Sequence, residues 1–569
     1  MKMERVKCTD LNENNSGEDV LLKGWIESKR ELGKIIFGVL RDRSGKVQLV
    51  AKNDKDFFKK LGKINRESVI EIHGTVSERP EKDKNEDMET GGIEIQINDM
   101  KVLSEAEELP IPIQEEEKVF EDMKFKYRYL DLRKEKSREN LEKRHRIFSS
   151  IRNYLDNNNF VEVETPMLTK STPEGARDFL VPSRLEKGKF YALPQSPQLF
   201  KQILMVSGLE KYYQIVKCFR DEDLRADRQP EFTQLDIEMS FVDEDDVFNF
   251  VKGLVKNLMK EIENERITIE KIQYKEVMKK YGNDSPDLRF GLEMTDLSEI
   301  VELETGDHEE IAKGISLNEK VGEIMNDVNE LIKKYSSKKC KILHYSEENN
   351  NQRLENEAIL NKMDYENGNL LFVGIGEEKE VNNNLGKLRE ELGERCDLYR
   401  KEYAFVWVYD FPLFEFKEEE GRWGSMHHPF TMVKDKDVKK LEKNDFEDVY
   451  SKAYDLVLNG HEVGGGSIRI HNIDLQKKIL EKIGVDKEEA ERRFGFFLEA
   501  LKYGTPPHGG IAFGMDRFVQ ILCGEKNINE VIAFPKNKQG RCLLTGAPSK
   551  VDKEQLDDVG IELKKDQNK

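Results

Sequence analysis

The segment from Phe219 to Asp236, FRDEDLRADRQPEFTQLD, concentrates residue types that could bind a nucleotide. The planar guanidinium of Arg220 can grip a phosphate, because its donors match oxyanion geometry two at a time. The carboxylate of Glu222 can accept a hydrogen bond from an exocyclic amine or help to hold Mg²⁺, and Phe232 offers a flat face to a purine ring. The segment therefore predicts a nucleotide site, although a charged run alone is equally typical of a solvated hairpin.

A second segment, GMDRF at 514–518, supplies the complementary half of such a site. Arg517 could cover the other face of the ring by a cation–π contact. Gly514 has no side chain and leaves room for the backbone to approach a ligand closely. The two segments together favour the nucleotide site over the solvated hairpin.

Asp455 and Glu462 lie seven residues apart and bracket the apolar turn LVLNGHEV. Two carboxylates suit Mg²⁺, which takes few protein ligands and keeps most of its waters. Unrelated acids at the two ends of a loop would give the same spacing, so the pattern alone leaves both interpretations open. The segment LLFVGIGEEK lacks the third glycine of a dinucleotide-binding motif and predicts a strand followed by a turn.

Composition places the chain among folded proteins with several domains. Its 569 residues exceed a single core and predict three or four domains. The formal net charge of −19 implies that any nucleic acid must meet local basic patches instead of the average surface. Six scattered cysteines without a C-x-x-C pair predict a reduced cytoplasmic protein without structural zinc. A charged start, and no apolar run near the roughly 20 residues a membrane helix needs, predict neither signal peptide nor membrane span.

Hydrophobic patterning predicts the elements that must position these side chains. Residues 20–103 contain five short strands, and the last alternates strictly, with isoleucines at 93, 95 and 97 on one face. A short helix is predicted in DKDFFKKLGKI between the third and fourth strands, which suits an oligonucleotide-binding (OB) barrel. From Leu141 apolar residues recur at helical spacing before an extended VEVETP. Residues 286–403 then turn acidic and asparagine-rich, with alternating helix and strand signals.

Long segments resemble the class II aminoacyl-tRNA synthetases, and among them the bacterial-type aspartyl enzymes. The two nucleotide-site segments resemble the second and third signature motifs of that class. The resemblance runs from about Leu21 to Pro548, and its further blocks are YRYLDLR, TPMLTKSTPEGARDF, QSPQLFKQ, AYDLVLNGHEVGGGSIRIH and GTPPHGGIAFGMDR. Agreement over so many ordered blocks is far more specific than one short motif.

The resemblance implies an α+β multidomain fold and an activity. It implies a five-stranded OB-fold barrel, an antiparallel-sheet catalytic domain and an α/β insertion domain. It also implies ATP-dependent activation of L-aspartate to aspartyl-adenylate with release of pyrophosphate, Mg²⁺ as the metal, transfer to tRNA-Asp, and a homodimer. The implied domains are an anticodon-binding domain at 1–108, a hinge linker at 109–140, catalytic parts at 141–285 and 404–548, the insertion at 286–403 and a C-terminal extension at 549–569.

The nucleotide residues follow from the matching motifs. The resemblance places Arg220 on the α-phosphate, Phe232 under the adenine with Arg517 above it, and Arg228 at the distal phosphates. The full set implied for ATP is Arg220, Asp221, Glu222, Arg228, Gln229, Phe232, Glu462, Gly514, Met515, Asp516 and Arg517, with Arg220, Glu222 and Arg517 catalytic and Asp455 and Glu462 as Mg²⁺ ligands. No side-chain base is evident for the transfer step.

A side-chain carboxylate in a dry pocket needs fixed positive charge, and an amide there would leave that charge unpaired. Lys201 and Arg469 stand at the positions that hold this carboxylate in aspartyl enzymes. Taken alone, Lys201 would fit a solvated helix and His427 a structural role. The implied aspartate site comprises Glu174, Ser196, Gln198, Lys201, Arg220, Asp236, His427 and Arg469, with His428 left open.

The barrel is implied to read the tRNA anticodon with Arg30, Phe37 and Gln48. A base stacked on Phe37 would contribute about 1–3 kcal/mol, but a phenylalanine inside the barrel core is the competing interpretation. Leu32 matches enzymes restricted to tRNA-Asp and predicts that tRNA-Asn is not charged.

Two alternatives remain. An asparaginyl or lysyl relative would share both domains, but Lys201 with Arg469 makes a doubly cationic pocket, wrong for lysine and wasteful for an amide. A non-catalytic RNA-binding paralogue should have lost its phosphate-gripping residues, yet Arg220, Glu222, Glu462 and Arg517 are all present.

Overall fold

The computed structural model describes residues 3–52, 57–114, 117–172, 176–224, 227–301, 310–346, 354–418, 421–443 and 446–564. It divides the chain into two compact units, residues 1–130 and 131–569. None of the helices within the described ranges combines the length and apolar character needed to cross a membrane.

The first unit is a closed five-stranded barrel. Its strands are ordered β1-β2-β3-β5-β4, with only the β3–β5 pair parallel, and this confirms the predicted OB-fold. Apolar residues of alternate strand positions fill the interior, including Ile93, Ile95 and Ile97 as predicted. The elements are β1 (Asp19–Leu32), β2 (Ile35–Arg41), β3 (Lys46–Lys52), α1 (Phe58–Lys63), β4 (Val69–Glu78), β5 (Ile93–Ser104) and α2 (Glu121–Lys126), with α3 (Arg128–Asp131) at the unit boundary.

The second unit is built on an eight-stranded sheet. In order across the sheet, its strands are β11 (Ile269–Gln273), β16 (Phe405–Tyr409), β19 (Ala453–Leu458), β20 (His461–Ile468), β21 (His508–Gly514), β10 (Glu231–Ser240), β9 (Lys211–Phe219) and β6 (Val161–Glu162). The six central strands pair antiparallel, as predicted for the catalytic domain, and the two edge strands β11 and β6 pair parallel to their neighbours. Its catalytic elements up to residue 281 are α4 (Glu135–Asn157), β6 (Val161–Glu162), β7 (Leu180–Pro182), β8 (Phe190–Ala192), α5 (Gln198–Val206), β9 (Lys211–Phe219), β10 (Glu231–Ser240), α6 (Glu244–Ile262), β11 (Ile269–Gln273) and α7 (Tyr274–Tyr281).

Strands β12 (Thr295–Asp296), β13 (Glu310–Leu317), β14 (Cys340–Tyr345) and β15 (Leu370–Glu377) form a separate sheet in the order β12-β13-β15-β14, paired antiparallel throughout. Helices α8 (Val328–Tyr335) and α10 (Glu378–Arg395) pack on one apolar face of this sheet, and α9 (Glu357–Lys362) packs on the other. The strand 370–377 runs directly into a helix, so the turn predicted after it is absent from this described segment. The elements are β12 (Thr295–Asp296), β13 (Glu310–Leu317), α8 (Val328–Tyr335), β14 (Cys340–Tyr345), α9 (Glu357–Lys362), β15 (Leu370–Glu377) and α10 (Glu378–Arg395).

One buried arginine fixes the start of this inserted body. Arg389 of α10 donates from Nη2 to the carbonyls of Asp287 (2.7 Å) and Gly291 (2.9 Å). Its guanidinium lies 4.8 Å from the ring centre of Tyr281 and 4.4 Å from that of Phe290. Burial of a guanidinium is tolerated here because carbonyl acceptors and ring faces replace water.

The chain returns to the large sheet through the remaining elements. They are β16 (Phe405–Tyr409), β17 (Phe414–Lys417), β18 (Arg422–Ser425), α11 (Val438–Glu442), β19 (Ala453–Leu458), β20 (His461–Ile468), α12 (Ile473–Lys482), α13 (Lys487–Ala500), β21 (His508–Gly514), α14 (Met515–Leu522) and α15 (Lys553–Val559).

The sheet has one apolar face and one polar face. On β10, Leu235, Ile237 and Met239 point into the core formed with α4, α6 and α14. Because successive strand residues alternate, Gln234, Asp236 and Glu238 point to the opposite face. On the adjacent β21 the corresponding positions are the small residues 510, 512 and 514. A polar floor without bulky side chains therefore lies at the centre of the sheet.

Candidate active site

A cavity of about 670 Å³ lies on the polar face of the sheet. It contains most of the residues predicted for the nucleotide and for the amino acid. The predicted residues that line it are Ser196, Gln198, Arg220, Glu222, Arg228, Gln229, Phe232, Asp236, His427, His428, Asp455, Glu462, Arg469, Gly514, Asp516 and Arg517.

Strand register orders these residues along the cavity. Asp236 pairs with Ala512, and Gln234 pairs with Gly514 at the end of β21. Phe232 lies four residues before Asp236 on the same strand, which separates them by roughly 13 Å at 3.3 Å per residue. The cavity thus has an acidic and cationic end at Asp236 and an aromatic end at Phe232.

Two cations and two carboxylates meet at the first end. Lys201 Nζ donates to Asp236 Oδ1 (2.9 Å) and lies 3.4 Å from Glu238 Oε2. Arg469 donates from Nε and Nη2 to the two oxygens of Glu238 at 2.9 and 3.2 Å. All four side chains are essentially inaccessible to solvent. The pocket that the sequence suggested as doubly cationic is therefore balanced by two buried acids.

Glu238 is the residue that sequence reasoning missed. Burial opposes its ionisation, but Arg469 and then Lys201 hold its pKa below the usual value. The signal was present in QLDIEMS, because acids at positions i and i+2 of one strand share a face. For Asp236, burial outweighs the attraction of Lys201 and raises the pKa.

Two histidines close this end and remain neutral. Burial, followed by the Arg469 charge, lowers the pKa of His427 to about 4. The same causes lower the pKa of His428 well below its usual value. Arg469 Nη1 lies 2.7 Å from His428 Nε2, and a guanidinium can only donate, so that nitrogen carries the lone pair. Neither ring adds positive charge at neutral pH.

Some polar atoms at the Asp236 end of the cavity have unused hydrogen-bonding capacity. Within the described residues, Gln198 Nε2 and Asp236 Oδ2 are buried without a hydrogen-bond partner. Arg469 uses four of its five N–H donors on Glu238, His428 and Ser467. Buried polar atoms are normally paired, so an unpaired donor and an unpaired acceptor beside a cation indicate a small polar ligand with both functions.

The carboxylates of Asp455 and Glu462 converge in the middle of the cavity. A β-carbon built on Gly465 would lie 2.8 Å from Asp455 Oδ1 and 3.1 Å from Glu462 Oε1. Burial and then the Glu462 charge raise the pKa of Asp455 well above its usual value. Burial also raises the pKa of Glu462. The Arg517 charge lowers this pKa and the Asp284 charge raises it, but burial is the largest effect. Asp284 also lines the cavity and was not foreseen.

The described residues contain no group of three or more histidine, cysteine, aspartate or glutamate side chains arranged to hold a metal. Two convergent carboxylates, of which Glu462 raises the pKa of Asp455, nevertheless suit Mg²⁺, which needs only one or two protein carboxylates beside substrate phosphates.

Arginines surround the aromatic end. The Arg220 guanidinium lies 5.1 Å from the ring centre of Phe232. Arg517 donates to the Glu462 carbonyl (2.6 Å) and to Asp227 Oδ2 (2.7 Å). Arg228 donates to Glu222 Oε2 (2.7 Å). Among the described residues, nothing lies within 4 Å of a β-carbon built on Gly514, so the chain is open to a ligand there.

Several predicted residues stand elsewhere. Lys201 is fully buried and donates a hydrogen bond to Asp236, which lines the cavity. Asp221 does not line the cavity; its carboxylate lies 3.7 Å from Arg177 Nε. The Met515 side chain is part of the apolar core on the opposite face. Glu174 lies outside the described residues.

Gln229 and Asp516 line the cavity with their polar groups engaged by protein. Gln229 donates to Asn529 Oδ1 (2.8 Å) and to the Lys536 carbonyl (2.9 Å), and accepts from Lys536 N (2.8 Å). Asp516 accepts from Thr233 N (2.7 Å) and pairs with Arg144 (2.6 Å). These contacts indicate that both residues shape the wall of the cavity.

The barrel presents the three residues predicted to read an anticodon on its outer side. Arg30 pairs with Phe37 across β1 and β2, and Phe37 is half-buried and absent from the described barrel core. The core alternative for Phe37 is therefore excluded by register. Gln48 on β3 donates to Glu94 Oε2 (3.0 Å). Leu32, at the end of β1, is exposed.

Comparison with known families gives two matches. Residues 120–538 match the family described as tRNA synthetases class II (D, K and N). Residues 20–103 match the OB-fold nucleic acid binding domain.

Three relatives are similar over nearly the whole chain. The aspartate–tRNA ligase of Fervidobacterium nodosum is 49% identical, with 98% of this chain and 99% of the relative covered. That of Clostridium botulinum is 46% identical, covering 98% and 97%. The aspartate–tRNA(Asp/Asn) ligase of Natranaerobius thermophilus is 46% identical, covering 98% and 99%.

Among solved structures, asparaginyl-tRNA synthetase from Pyrococcus horikoshii complexed with asparaginyl-adenylate has the same fold. The TM-score is 0.63 at 20% identity, covering 94% of this chain and 98% of that chain.

Proposed function

The chain belongs to the class II tRNA synthetases of the D, K and N group, and on that basis we propose that it is an aspartate–tRNA ligase. It activates L-aspartate with ATP, releases pyrophosphate and transfers aspartate from the adenylate to the 3′ end of tRNA-Asp. The observation that carries the proposal is the single cavity in which Gln198, Asp236 and Arg469 face one end and Arg220, Phe232 and Arg517 the other.

Activation needs the aspartate α-carboxylate to attack the α-phosphate of ATP, and the two groups repel each other. Fixed arginines offset this repulsion in a site that is organised before the reaction. In this proposal Arg220 bridges the carboxylate and the α-phosphate, Arg228 takes the distal phosphates, and Phe232 and Arg517 hold the adenine. Glu222 accepts from the adenine amine with the acceptor capacity that its hydrogen bond from Arg228 leaves.

Mg²⁺ would be held by Asp455 and Glu462, whose oxygens converge beside the phosphate region. When bound, it supplies positive charge to the phosphate oxygens. The proposal fails at this point if replacing both acids by amides leaves the Mg²⁺ dependence of pyrophosphate exchange unchanged.

The amino-acid end suits aspartate because of its hydrogen-bond pattern. The unpartnered Asp236 Oδ2 is an acceptor for the α-ammonium of the amino acid. Burial raises the pKa of this carboxyl group, and the positive charge of the ammonium would stabilise its ionised form. Gln198 Nε2 and the remaining Arg469 donor suit a side-chain carboxylate. Asparagine would direct amide donors towards donors, and lysine would bring an ammonium beside two cations.

Amino-acid-dependent exchange of pyrophosphate into ATP tests the assignment without tRNA. We expect exchange with aspartate and at least about a hundredfold less with asparagine or lysine, because a site whose buried donors would be left unpaired rejects an analogue strongly. Exchange driven by asparagine in preference to aspartate would mean that the protein is an asparaginyl-type synthetase. No exchange with any amino acid would favour the non-catalytic paralogue.

We further propose that charging is restricted to tRNA-Asp, on the basis of Leu32 at the exposed end of β1. The similar proteins include some named aspartate–tRNA ligase and others named aspartate–tRNA(Asp/Asn) ligase, so family membership does not decide this point. Aminoacylation of tRNA-Asp and tRNA-Asn transcripts side by side should give product only with the former. Comparable charging of both would contradict it.

Phe37→Ala should raise the KM for tRNA roughly 5- to 150-fold while leaving exchange unchanged. The expected loss corresponds to one base stack of about 1–3 kcal/mol on the half-exposed ring. His73→Ala on β4, a strand that does not pair with β2, is the matched barrel control. Loss of exchange together with tRNA affinity would mean that Phe37 supports the fold instead.

Assembly and location are proposed on separate grounds. Val161, Leu168, Leu180 and Phe190 are exposed apolar residues at the β6 edge and around the β7–β8 hairpin, which supports a homodimer through this surface. A mass of 66.3 kDa in light scattering, which is that of the monomer, would contradict a homodimer.

The six cysteines are buried free thiols, which supports a cytoplasmic location. Partitioning of the tagged protein to an oxidising compartment would contradict this location.

A further inference from the structure

A second cavity, the side cavity, has a volume of about 410 Å³ and lies beside the main one. His427, which lines both, belongs to the amino-acid end, because its Nε2 lies 3.4 Å from Asp455 Oδ1. Asp455 stands level with Asp236 across the sheet, through the paired residues of β20 and β21 between them. The side chains of residues 425–429 divide between the two cavities, so this segment is a partition at the level of the proposed aspartate site. The lining residues common to both cavities are Glu415, Met426 and His427.

Positive charge dominates the side cavity. Its cationic lining residues are Lys417 of β17, Arg422 of β18 and Arg493 of α13. Arg422 Nη1 donates to the Ile483 carbonyl (2.6 Å). Arg493 Nη1 donates to Glu489 Oε1 (3.2 Å), an acid on the same helix. A guanidinium carries five N–H donors, so each of the two groups can bind an oxyanion as well as its protein acceptor.

The remaining walls of the side cavity are mostly apolar, with one unpartnered hydroxyl. Ser425 Oγ is buried and has no hydrogen-bond partner among the described residues. Because buried polar atoms are normally paired, this hydroxyl indicates a polar occupant. Apolar walls of low dielectric constant concentrate the field of nearby charges in a cleft and raise the local concentration of a counter-ion. These walls are formed by Leu480, Ile483, Val485 and Phe494.

We propose that the side cavity binds aspartate before the amino acid crosses the 425–429 segment into the main cavity. The inference rests on the proposed ligase activity and adds to it a capture site for the amino acid. Aspartate carries two carboxylates and one ammonium, which match the three cations of the side cavity and the carboxylate of Glu415. Inorganic phosphate would match the cations but would be repelled by Glu415.

Capture at the side leaves the other end of the main cavity free for the nucleotide. In the proposed complex the adenine lies between Phe232 and Arg517, so the amino acid need not pass it. Beyond the partition, Arg469 Nη1 lies 2.7 Å from His428 Nε2, and a carboxylate that crosses therefore meets the next fixed cation. Clefts lined by one sign of charge raise the association rate of a counter-ion by about 10- to 1,000-fold.

The kinetic test uses aspartate-dependent exchange by the full-length protein. Arg422→Ala and Arg493→Ala should each lower kcat/KM for aspartate about tenfold, because one hydrogen bond to a charged group contributes about that factor. At saturating aspartate kcat should be kept, and the KM for ATP should not change, since neither arginine lines the main cavity. Arg492→Ala removes an exposed arginine of α13 that does not line the side cavity, and this matched control should behave as wild type. Unchanged kcat/KM in both variants, or an equal fall in Arg492→Ala, would overturn the proposal.

Direct binding separates the side cavity from the main one. A non-hydrolysable sulfamoyl analogue of aspartyl-adenylate occupies the main cavity, and equilibrium dialysis with radiolabelled aspartate then detects any further site. We expect a second aspartate to bind to wild type and to Arg492→Ala, and to bind about tenfold more weakly to Arg493→Ala. No second aspartate in wild type, or its displacement by inorganic phosphate as readily as by unlabelled aspartate, would overturn the side cavity as an aspartate site while leaving the ligase intact. Absence of aspartate-dependent exchange in wild type would instead overturn the ligase.

Discussion

Arg220→Ala is expected to slow formation of aspartyl-adenylate about 100- to 1,000-fold with little change in tRNA affinity. The guanidinium lies over Phe232 in the cavity that Asp236 and Arg469 also line, and in our proposal it bridges the aspartate carboxylate and the α-phosphate. Removing one preorganised charged donor from such a site costs about this factor in kcat. Pre-steady-state measurement of adenylate formation, with filter binding of tRNA in parallel, gives both quantities.

Two variants sharpen the Arg220 result. Arg220→Lys keeps the charge but loses the planar fork and the contact with the ring, so it should recover only part of the rate. Arg184→Ala removes an exposed arginine that does not line the cavity and should behave as wild type. Equal losses of adenylate formation and tRNA affinity in Arg220→Ala would contradict a role confined to the reacting groups.

Lys201→Ala is expected to destabilise the catalytic unit by about 3–5 kcal/mol and to abolish aspartate-dependent exchange. The substitution leaves the buried carboxylates of Asp236 and Glu238 short of one cation, and removing one partner of a buried pair typically costs this much. The expected loss of activity follows because Asp236, freed from Lys201, no longer holds its second oxygen towards the cavity. Urea denaturation and exchange assays measure the two effects.

Lys256→Ala, on the exposed side of α6, is the matched control and should change stability by less than about 0.5 kcal/mol. If Lys201→Ala remained as stable as this control and kept its preference for aspartate over asparagine, the charge balance described for this pocket would be wrong.

The sequence was most informative where function resides in short segments. Arg220, Phe232 and Arg517 could be assigned to one cavity because each lies in a motif whose spacing is local and whose chemistry is specific. The barrel strands were predictable from alternation, since period two is a direct consequence of strand geometry. The helix predicted from Leu141 begins earlier, at Glu135, because its first turns are charged and carry no apolar period.

The pairing of distant strands could not be predicted from the sequence. Glu238 meets Arg469 only because β10, β21 and β20 are neighbours in the sheet, and that register is a tertiary property. The same register sets the contact between Lys201, which is predicted to hold the aspartate carboxylate, and the buried Asp236. Phe37 was ambiguous until the barrel register placed it outside. The domain limits and the individual roles of the site residues stay predictions.

The hydrogen bonds from Arg389 to backbone carbonyls limit how the inserted body could be removed by engineering. The segment it grips, 287–292, begins three residues after Asp284, and Asp287 lies against the turn at Gly460, two residues before Glu462. The inserted body is consequently not an appendage that can be excised at its narrowest point. A minimised enzyme would have to retain the arginine, or hold this loop by other contacts, to preserve the positions of Asp284 and Glu462 in the cavity lining.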